Sequence, residues 1–164
     1  MTRSRTRMPS PIGELTIVAD DDAVVEIRFP GDSAIDDQDA IDVAADERPV
    51  LARAVAQLDE YFAGTRTSFD LPLAPAGTPF QQQAWSALTD IPFGETRTYG
   101  EQAAMLGDRN KSRAVGAANG KNPIPIVVPC HRVVGSNGHL TGFAGGLETK
   151  AWLLDHELRV RAAG

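Results

Sequence analysis

Apolar and polar residues alternate along the first part of the chain in a pattern typical of strands. Residues 15–19 form an apolar run, and residues 25–29 alternate between apolar and polar side chains. The acidic stretch 20–22 between them predicts a turn, so the two runs together predict a β-hairpin. The Asp-rich residues 30–46 are predicted to form a solvated loop.

A helix is predicted between Pro49 and Gly64, where apolar residues recur at helical spacing. Proline suits the first position of a helix, and glycine suits the position just after its end. Residues 69–73 alternate again and predict a third strand. Pro72 would put that strand at an edge of the sheet, because proline has no N–H to donate.

Two further helices are predicted after the Ala-, Pro- and Gly-rich stretch 74–78. Thr78 and Thr98 each precede Gln or Glu by three residues, which is the pattern of a capping box. We expect the first of these helices to end at Pro92 and the second to reach Gly107.

A third helix is predicted from a cap at Ser112 to Gly120, after the polar turn 108–111. Helix, short turn and helix form a helix-turn-helix pattern. The third helix begins with Arg113 and is otherwise lined by small residues, namely Ala114, Gly116, Ala117 and Ala118. Small side chains allow close approach of a neighbouring helix or of a flat ligand, and the segment alone favours the neighbouring helix.

These elements predict an α+β protein of two domains, with residues 1–73 as a small N-terminal domain, 74–78 as a linker and 79–164 as a mainly helical C-terminal domain. The net charge differs between the halves. Residues 1–78 carry seven Lys and Arg against fifteen Asp and Glu, whereas residues 79–164 carry nine against seven. The first half would repel a polyanion, and the second could accept one.

The single cysteine, Cys130, follows a stiff segment that contains three prolines and an apolar run, 126–128, that predicts a buried strand. A lone cysteine is more often a buried apolar residue than a nucleophile. The adjacent His131 and the downstream Glu157 favour the nucleophile, because a thiolate needs a proton acceptor and that acceptor needs an orienting carboxylate. Since neighbouring side chains in an extended chain point apart, a bridging water between Cys130 and His131 is expected.

A final helix is predicted to carry Trp152 and Glu157, and its apolar stripe consists of Leu147, Ala151, Leu154 and Leu158. His139 and His156 are expected on the surface. One cysteine allows no intramolecular disulfide, and its spacing from the histidines fits no standard metal site. No apolar run is long enough to span a bilayer and no signal peptide is apparent, so a cytoplasmic protein is expected.

The segment 129–135, PCHRVVG, resembles the active-site motif of the O6-alkylguanine-DNA alkyltransferases, also called methylated-DNA–protein-cysteine methyltransferases. The resemblance covers residues 79–158 almost without gaps. It continues through RAVG at 113–116, Asn122-Pro123, Tyr99, GGL at 145–147 and WLL at 152–154, and SPIG at 10–13 resembles the family's opening. It implies a ribonuclease H-like N-terminal domain and a winged helix-turn-helix C-terminal domain.

The resemblance also implies the chemistry. Cys130 would accept the alkyl group of O6-alkylguanine, and less readily that of O4-alkylthymine, in a single irreversible transfer that needs no cofactor. His131 would act as base through a water, and Glu157 would hold that histidine. Asn122 would tie the helix-turn-helix to the cysteine segment, and Tyr99 would protonate the leaving base and crowd the backbone phosphate.

For DNA, the resemblance implies that the damaged nucleotide is flipped out of the duplex and that Arg113 fills the gap in the base stack. The helix that carries Ala114, Gly116, Ala117 and Ala118 would then lie in the minor groove. The carbonyls of Cys130 and Val133 would read the guanine amino group, and the Ala144 amide would donate to its oxygen. Val133, Ser136, Phe143 and Ala144 are expected to line the pocket, and Phe143 stands where relatives often carry tyrosine.

Double-stranded DNA containing O6-alkylguanine is therefore the expected partner of a monomeric protein, with no metal, no cofactor and no membrane. Two rival hypotheses remain. A non-catalytic helix-turn-helix protein would bind DNA or lesions without accepting an alkyl group. A cysteine hydrolase is disfavoured, because no oxyanion loop is evident and His131 is adjacent rather than distant.

Overall fold

The computed structural model describes residues 2–31, 40–138, 140, 143 and 145–164. The chain divides into two compact units, Met1–Ala76 and Gly77–Gly164. The first contains a mixed sheet with one long helix and the second is mainly helical, so the expected α+β class is confirmed. No helix within the described ranges is long and apolar enough to cross a membrane.

The first unit contains a four-stranded sheet in the order β3-β2-β1-β4. Its strands are β1 (Arg3–Met8), β2 (Leu15–Ala19), β3 (Val24–Arg28) and β4 (Ala40–Asp42). Strands β2 and β3 pair antiparallel, as the predicted hairpin requires, and β4 runs parallel to β1. The predicted loop 30–46 is wrong at residues 40–42, which form strand β4. Strand β1 escaped prediction because its inward residues are Ser4, Thr6 and Met8, which give little apolar alternation.

Helix α1 (Pro49–Ala63) begins and ends as predicted, with Gly64 at φ 82° after its last turn. The strand expected at 69–73 is wrong, since it is reduced to one bridge between Leu73 and Val24. The Gln57 side chain instead donates to the Asp70 carbonyl and accepts from the Asp70 N–H, each at 2.9 Å. A side-chain amide thus replaces a neighbouring strand.

The second unit opens with the helices α2 (Pro79–Leu88), α3 (Tyr99–Met105) and α4 (Ser112–Gly120). Both predicted capping boxes are present, at Thr78 and Thr98. Helices α2 and α3 end before Pro92 and Gly107, the predicted limits. Ser112 is the first residue of α4 rather than its cap, because a 3-10 turn capped by Asp108 leads directly into the helix.

Buried polar contacts join these three helices. The indole N–H of Trp85 donates to the Ala118 carbonyl at 2.8 Å. Gln102 and Asn119 exchange hydrogen bonds of 2.7 and 3.0 Å between their amides, and Gln102 also donates to the Ala84 carbonyl. Each contact satisfies a group whose burial would otherwise destabilise the fold.

The remaining elements of the second unit are β5 (Arg97–Thr98), β6 (Val133–Val134) and α5 (Leu147–Ala163). Strands β5 and β6 pair in parallel and so bring the start of α3 beside the segment that follows Cys130. The apolar stripe predicted for α5 is wrong as the buried face of the helix, because Leu147 and Leu158 are 49% and 58% exposed. Its buried face carries Lys150, Leu153, His156 and Glu157 instead.

His156 is 6% exposed, so the expectation of a surface residue is wrong. Its ring stacks on that of Trp152 with the centroids 4.9 Å apart. Positions four apart lie on one face of a helix, and the indole therefore covers the imidazole.

Candidate active site

Two tight turns shape the segment before Cys130, and no strand forms there. Val127 N–H donates to the Pro125 carbonyl at 2.9 Å, which closes a three-residue γ-turn around Ile126 at φ 74°. Cys130 N–H closes a second one onto Val128 at 2.8 Å, with Pro129 at φ −83° and ψ 65°. A positive φ is rare and strained for a β-branched residue, so burial of Ile126 must hold the first turn.

Asn122 ties the two ends of this segment together. Its side-chain N–H donates to the Val128 carbonyl at 2.8 Å, and its oxygen accepts from Ile124 N–H at 3.0 Å. The same side chain lowers the pKa of the Cys130 thiol through its hydrogen-bonding interaction with the thiolate form. Asn122 thus lies between the end of α4 and the cysteine.

His131 and Glu157 meet in the interior of the second unit. His131 Nε2 lies 2.6 Å from Glu157 Oε2, and the two side chains are 0% and 1% exposed. The Arg132 guanidinium donates to both carboxylate oxygens, at 2.8 and 3.1 Å, and to the Ile91 carbonyl at 2.7 Å. Gly94 N–H adds a further hydrogen bond to Glu157 Oε1 at 3.0 Å.

These contacts define the ionisation of the pair. Burial alone would raise the pKa of Glu157, but hydrogen bonds and charges from His131 and Arg132 hold it well below its usual range. Burial lowers the pKa of His131. Glu157 is therefore ionised and His131 neutral at rest, and Nε2 must carry the proton that it shares with the carboxylate.

The other imidazole nitrogen, Nδ1, is consequently the basic one. It is buried, and within the described part of the chain it has no hydrogen-bond partner. A buried acceptor without a partner is costly, and it identifies a position for a proton donor.

Cys130 is 8% exposed, and burial raises the pKa of its thiol to about 11. The hydrogen bond with Asn122 and the charge of Lys150 act in the opposite direction. At pH 7 only about one thiol in ten thousand would then be ionised. The sulfur needs a base to become a nucleophile.

Helix α4 presents one thin face to solvent. Arg113, Ala114 and Ala117 are exposed, and Gly116 is half-buried. A Cβ on Gly116 would lie 3.6 Å from two ring carbons of Tyr99, so this glycine packs directly against the phenol ring at the start of α3. Ala118 does not share the exposed face, because it is 3% exposed on the side that receives the Trp85 hydrogen bond.

The described part of the chain includes three of the four expected pocket residues. Val133 is buried in β6, Ser136 is exposed and Phe143 is half-buried. Ala144 and His139 lie outside the described residues, so the expected contact of the Ala144 amide stays a prediction. Among the described residues, no group of three metal-ligating side chains is present.

Sequence reasoning missed two charged residues of this site. Arg132 lies inside the quoted motif but received no role, although it completes the coordination of Glu157. Lys150 is 1% exposed and lies seven residues before Glu157, which places both on one face of α5. That spacing was the available signal, and the leucines of the opposite face obscured it.

Family models match both units. The DNA-binding domain of 6-O-methylguanine DNA methyltransferase matches residues 79–159, and its ribonuclease-like domain matches residues 5–75. A methylated-DNA–protein-cysteine methyltransferase of Methanosarcina acetivorans is 48% identical over 90% of this chain and 94% of its own length. The constitutive one of Bacillus subtilis is 46% identical over 93% of each.

Solved structures agree over the same length. The crystal structure of Mycobacterium tuberculosis O6-methylguanine methyltransferase has a TM-score of 0.88 at 42% identity, covering 96% of this chain and 93% of that one. A crystal structure of Mycobacterium tuberculosis OGT in complex with DNA has a TM-score of 0.87 at 42% identity, covering 96% and 94%. The resemblance inferred from the PCHRVVG segment is thereby confirmed, and the chain belongs to the 6-O-methylguanine DNA methyltransferase family.

Proposed function

We propose that this protein repairs double-stranded DNA by moving the alkyl group of O6-alkylguanine, and less readily that of O4-alkylthymine, onto Cys130. The observation that carries the proposal is the buried array of His131, Glu157 and Arg132, since the only cysteine of the chain immediately precedes His131. A thiol must lose a proton to react as a nucleophile, and a histidine that a carboxylate orients can accept that proton.

The first step is ionisation of the thiol. His131 Nδ1 takes the proton from Cys130 through a bridging water, while Nε2–H remains bound to Glu157. Arg132 keeps Glu157 ionised, so the imidazolium that forms has an adjacent negative charge. The orienting carboxylate thus stabilises the charge that the base acquires.

The second step transfers carbon from oxygen to sulfur. The thiolate attacks the alkyl carbon, a sulfur–carbon bond forms, and the carbon–oxygen bond breaks with its electron pair left on the guanine. Tyr99 donates a proton to the leaving base, and the proton held by His131 balances the one that the base takes up. The product is a thioether that water does not cleave, so each molecule reacts once.

Access to the base requires the nucleotide to leave the duplex. The exposed small-residue face of α4 is proposed to lie in the minor groove, where Arg113 fills the vacated stack. Contacts there are to phosphate and sugar, which makes binding largely independent of sequence. We expect a monomer that acts in the cytoplasm, where bacterial and archaeal DNA lies.

Intact-mass spectrometry after incubation with a duplex containing O6-methylguanine tests the proposal. We expect a gain equal to one CH2 group, located on Cys130 and never exceeding one per chain. Cys130→Ala should show no gain. Repeated turnover, or retained lesion binding with no mass gain in the wild type, would contradict the proposal, and the second result would assign a non-catalytic lesion-binding protein.

A further inference from the structure

One buried charge of the second unit has no part in the proton path just described. Lys150 is 1% exposed, and lysine is almost never this buried unless it is paired. Its ammonium lies 5.9 Å from the centroid of the Tyr99 ring, within the range of a cation–π contact. The side chain therefore reaches the phenol that the proposed function places at the leaving base.

The charges around Cys130 single out this ammonium. Arg132 and Glu157 form a 2.8 Å ion pair and largely offset each other, and His131 is neutral at rest. Helix α2, which packs near the Cys130 turn, carries no titratable side chain. Lys150 lowers the pKa of the Cys130 thiol, and the Cys130 charge in turn raises the pKa of Lys150, although burial lowers it overall.

We propose that Lys150 is the electrostatic partner of the Cys130 thiolate, so that its buried ammonium, held against the Tyr99 ring, stabilises the negative charge on sulfur before transfer. The inference rests on the proposed function. A charge acts over a longer distance in a dry interior than in water, so direct contact with sulfur is unnecessary. Lys150 is a positioning residue for charge, and His131 remains the base.

The same ammonium connects the two ends of the reaction. The Tyr99 ring packs against Gly116 of α4, and the Lys150 ammonium lies over the same ring. The lysine thus favours negative charge on the sulfur while it holds the proton donor of the leaving group. A lysine with a purely structural role would hold Tyr99 in place but would not favour negative charge on the sulfur.

The test compares Lys150→Met, which keeps the length of the side chain, with Lys150→Arg, which keeps the charge. The readout is the rate–pH profile of transfer from free O6-benzylguanine, which removes DNA binding from the comparison. We expect Lys150→Met to move the profile to higher pH and to slow transfer at neutral pH by about tenfold per unit of thiol pKa. Lys150→Arg should keep the wild-type midpoint.

Arg159→Met is the matched control, since Arg159 is an exposed cation on the same helix α5, and its profile should not move. Thermal unfolding of each variant establishes that it is folded, and Lys150→Gln carries the same expectation if Lys150→Met does not fold. An unchanged midpoint in a folded uncharged variant, or equal slowing at every pH, would overturn the proposal.

Iodoacetamide separates this inference from the proposed function, because thiol alkylation needs no damaged base. The midpoint of Cys130 alkylation should shift in Lys150→Met by the same amount as that of transfer. Without methyl transfer in the wild type, the proposed function fails even if this shift is present. Without the shift, the role of Lys150 fails even if transfer is normal.

Discussion

Glu157 accepts hydrogen bonds from three separate donors, which are the His131 ring, the Arg132 guanidinium and the Gly94 amide. Because these three hydrogen bonds hold the carboxylate in place, it keeps its position when His131 gains a proton. It defines which nitrogen of His131 is basic, and it neutralises an arginine that is 6% exposed. One side chain therefore serves both the chemistry and the stability of the second unit.

Glu157→Gln should destabilise the protein by about 3–5 kcal/mol, because it leaves the Arg132 charge buried without its partner. It should also slow transfer far more than it weakens DNA binding. Urea unfolding measures the first effect, and single-turnover rates compared with binding constants measure the second. Asp155→Asn is the control, since its ion pair with Arg159 on the same helix is about two-thirds exposed. A loss no larger than that of the control would contradict this account of Glu157.

Stability should fall as the pH is lowered from neutrality. The folded-state pKa of His131 lies below its ordinary value, so its contribution diminishes once the pH falls under about 6.5, where the unfolded chain takes up a proton. The folded-state pKa of Glu157 is also depressed, and its contribution diminishes below about 4.3. Urea midpoints at a series of pH values measure this, and a constant midpoint from about pH 8 to about pH 3 would contradict both assignments.

At the scale of elements, helix starts were predictable because their signals are local. Thr78 and Thr98 satisfy their own helix ends within three residues, and Gly64 supplies the left-handed conformation that ends α1. Helix α5 was predicted in place but on the wrong face. Its buried side chains are mostly polar, and only contacts with residues far along the chain make their burial favourable.

Arg113→Ala should impair reaction with O6-methylguanine in duplex DNA while reaction with free O6-benzylguanine stays close to wild type. The reason is that Arg113 is exposed on α4 and, in the proposed complex, replaces the flipped base rather than touching the sulfur. Single-turnover rates on the two substrates measure this. Arg159→Ala on the exposed side of α5 is the control, and parallel loss on both substrates would contradict the role.

At the scale of the whole molecule, charge is segregated between the two units. Four exposed cations lie within residues 109–121, around the start and end of α4, namely Arg109, Lys111, Arg113 and Lys121. The first unit is acidic in its sequence, and two arginines of its basic stretch, Arg5 and Arg7, form ion pairs with Asp42. DNA affinity should therefore depend on α4 and its flanks despite a net charge of −6.

Arg109→Ala should lower the slope of log affinity against log salt by about 0.9, the value for one lost phosphate contact. Arg53→Ala, which removes an exposed arginine of the first unit, should leave the slope unchanged. Fluorescence anisotropy with an undamaged duplex at several salt concentrations measures both. An equal effect of the two variants would contradict the assignment of the DNA surface to α4.

The amino-acid sequence by itself determined the hairpin, the helix starts, the helix-turn-helix and the reactive motif, because each depends on side chains only a few positions apart. Only the tertiary structure decided which face of α5 is buried, that Gln57 replaces a strand, and that Ile126 adopts a positive φ. It also decided that Arg132 and Lys150 join the site. Burying a charge or straining a backbone is unfavourable locally, and partners from distant parts of the chain must make it stable.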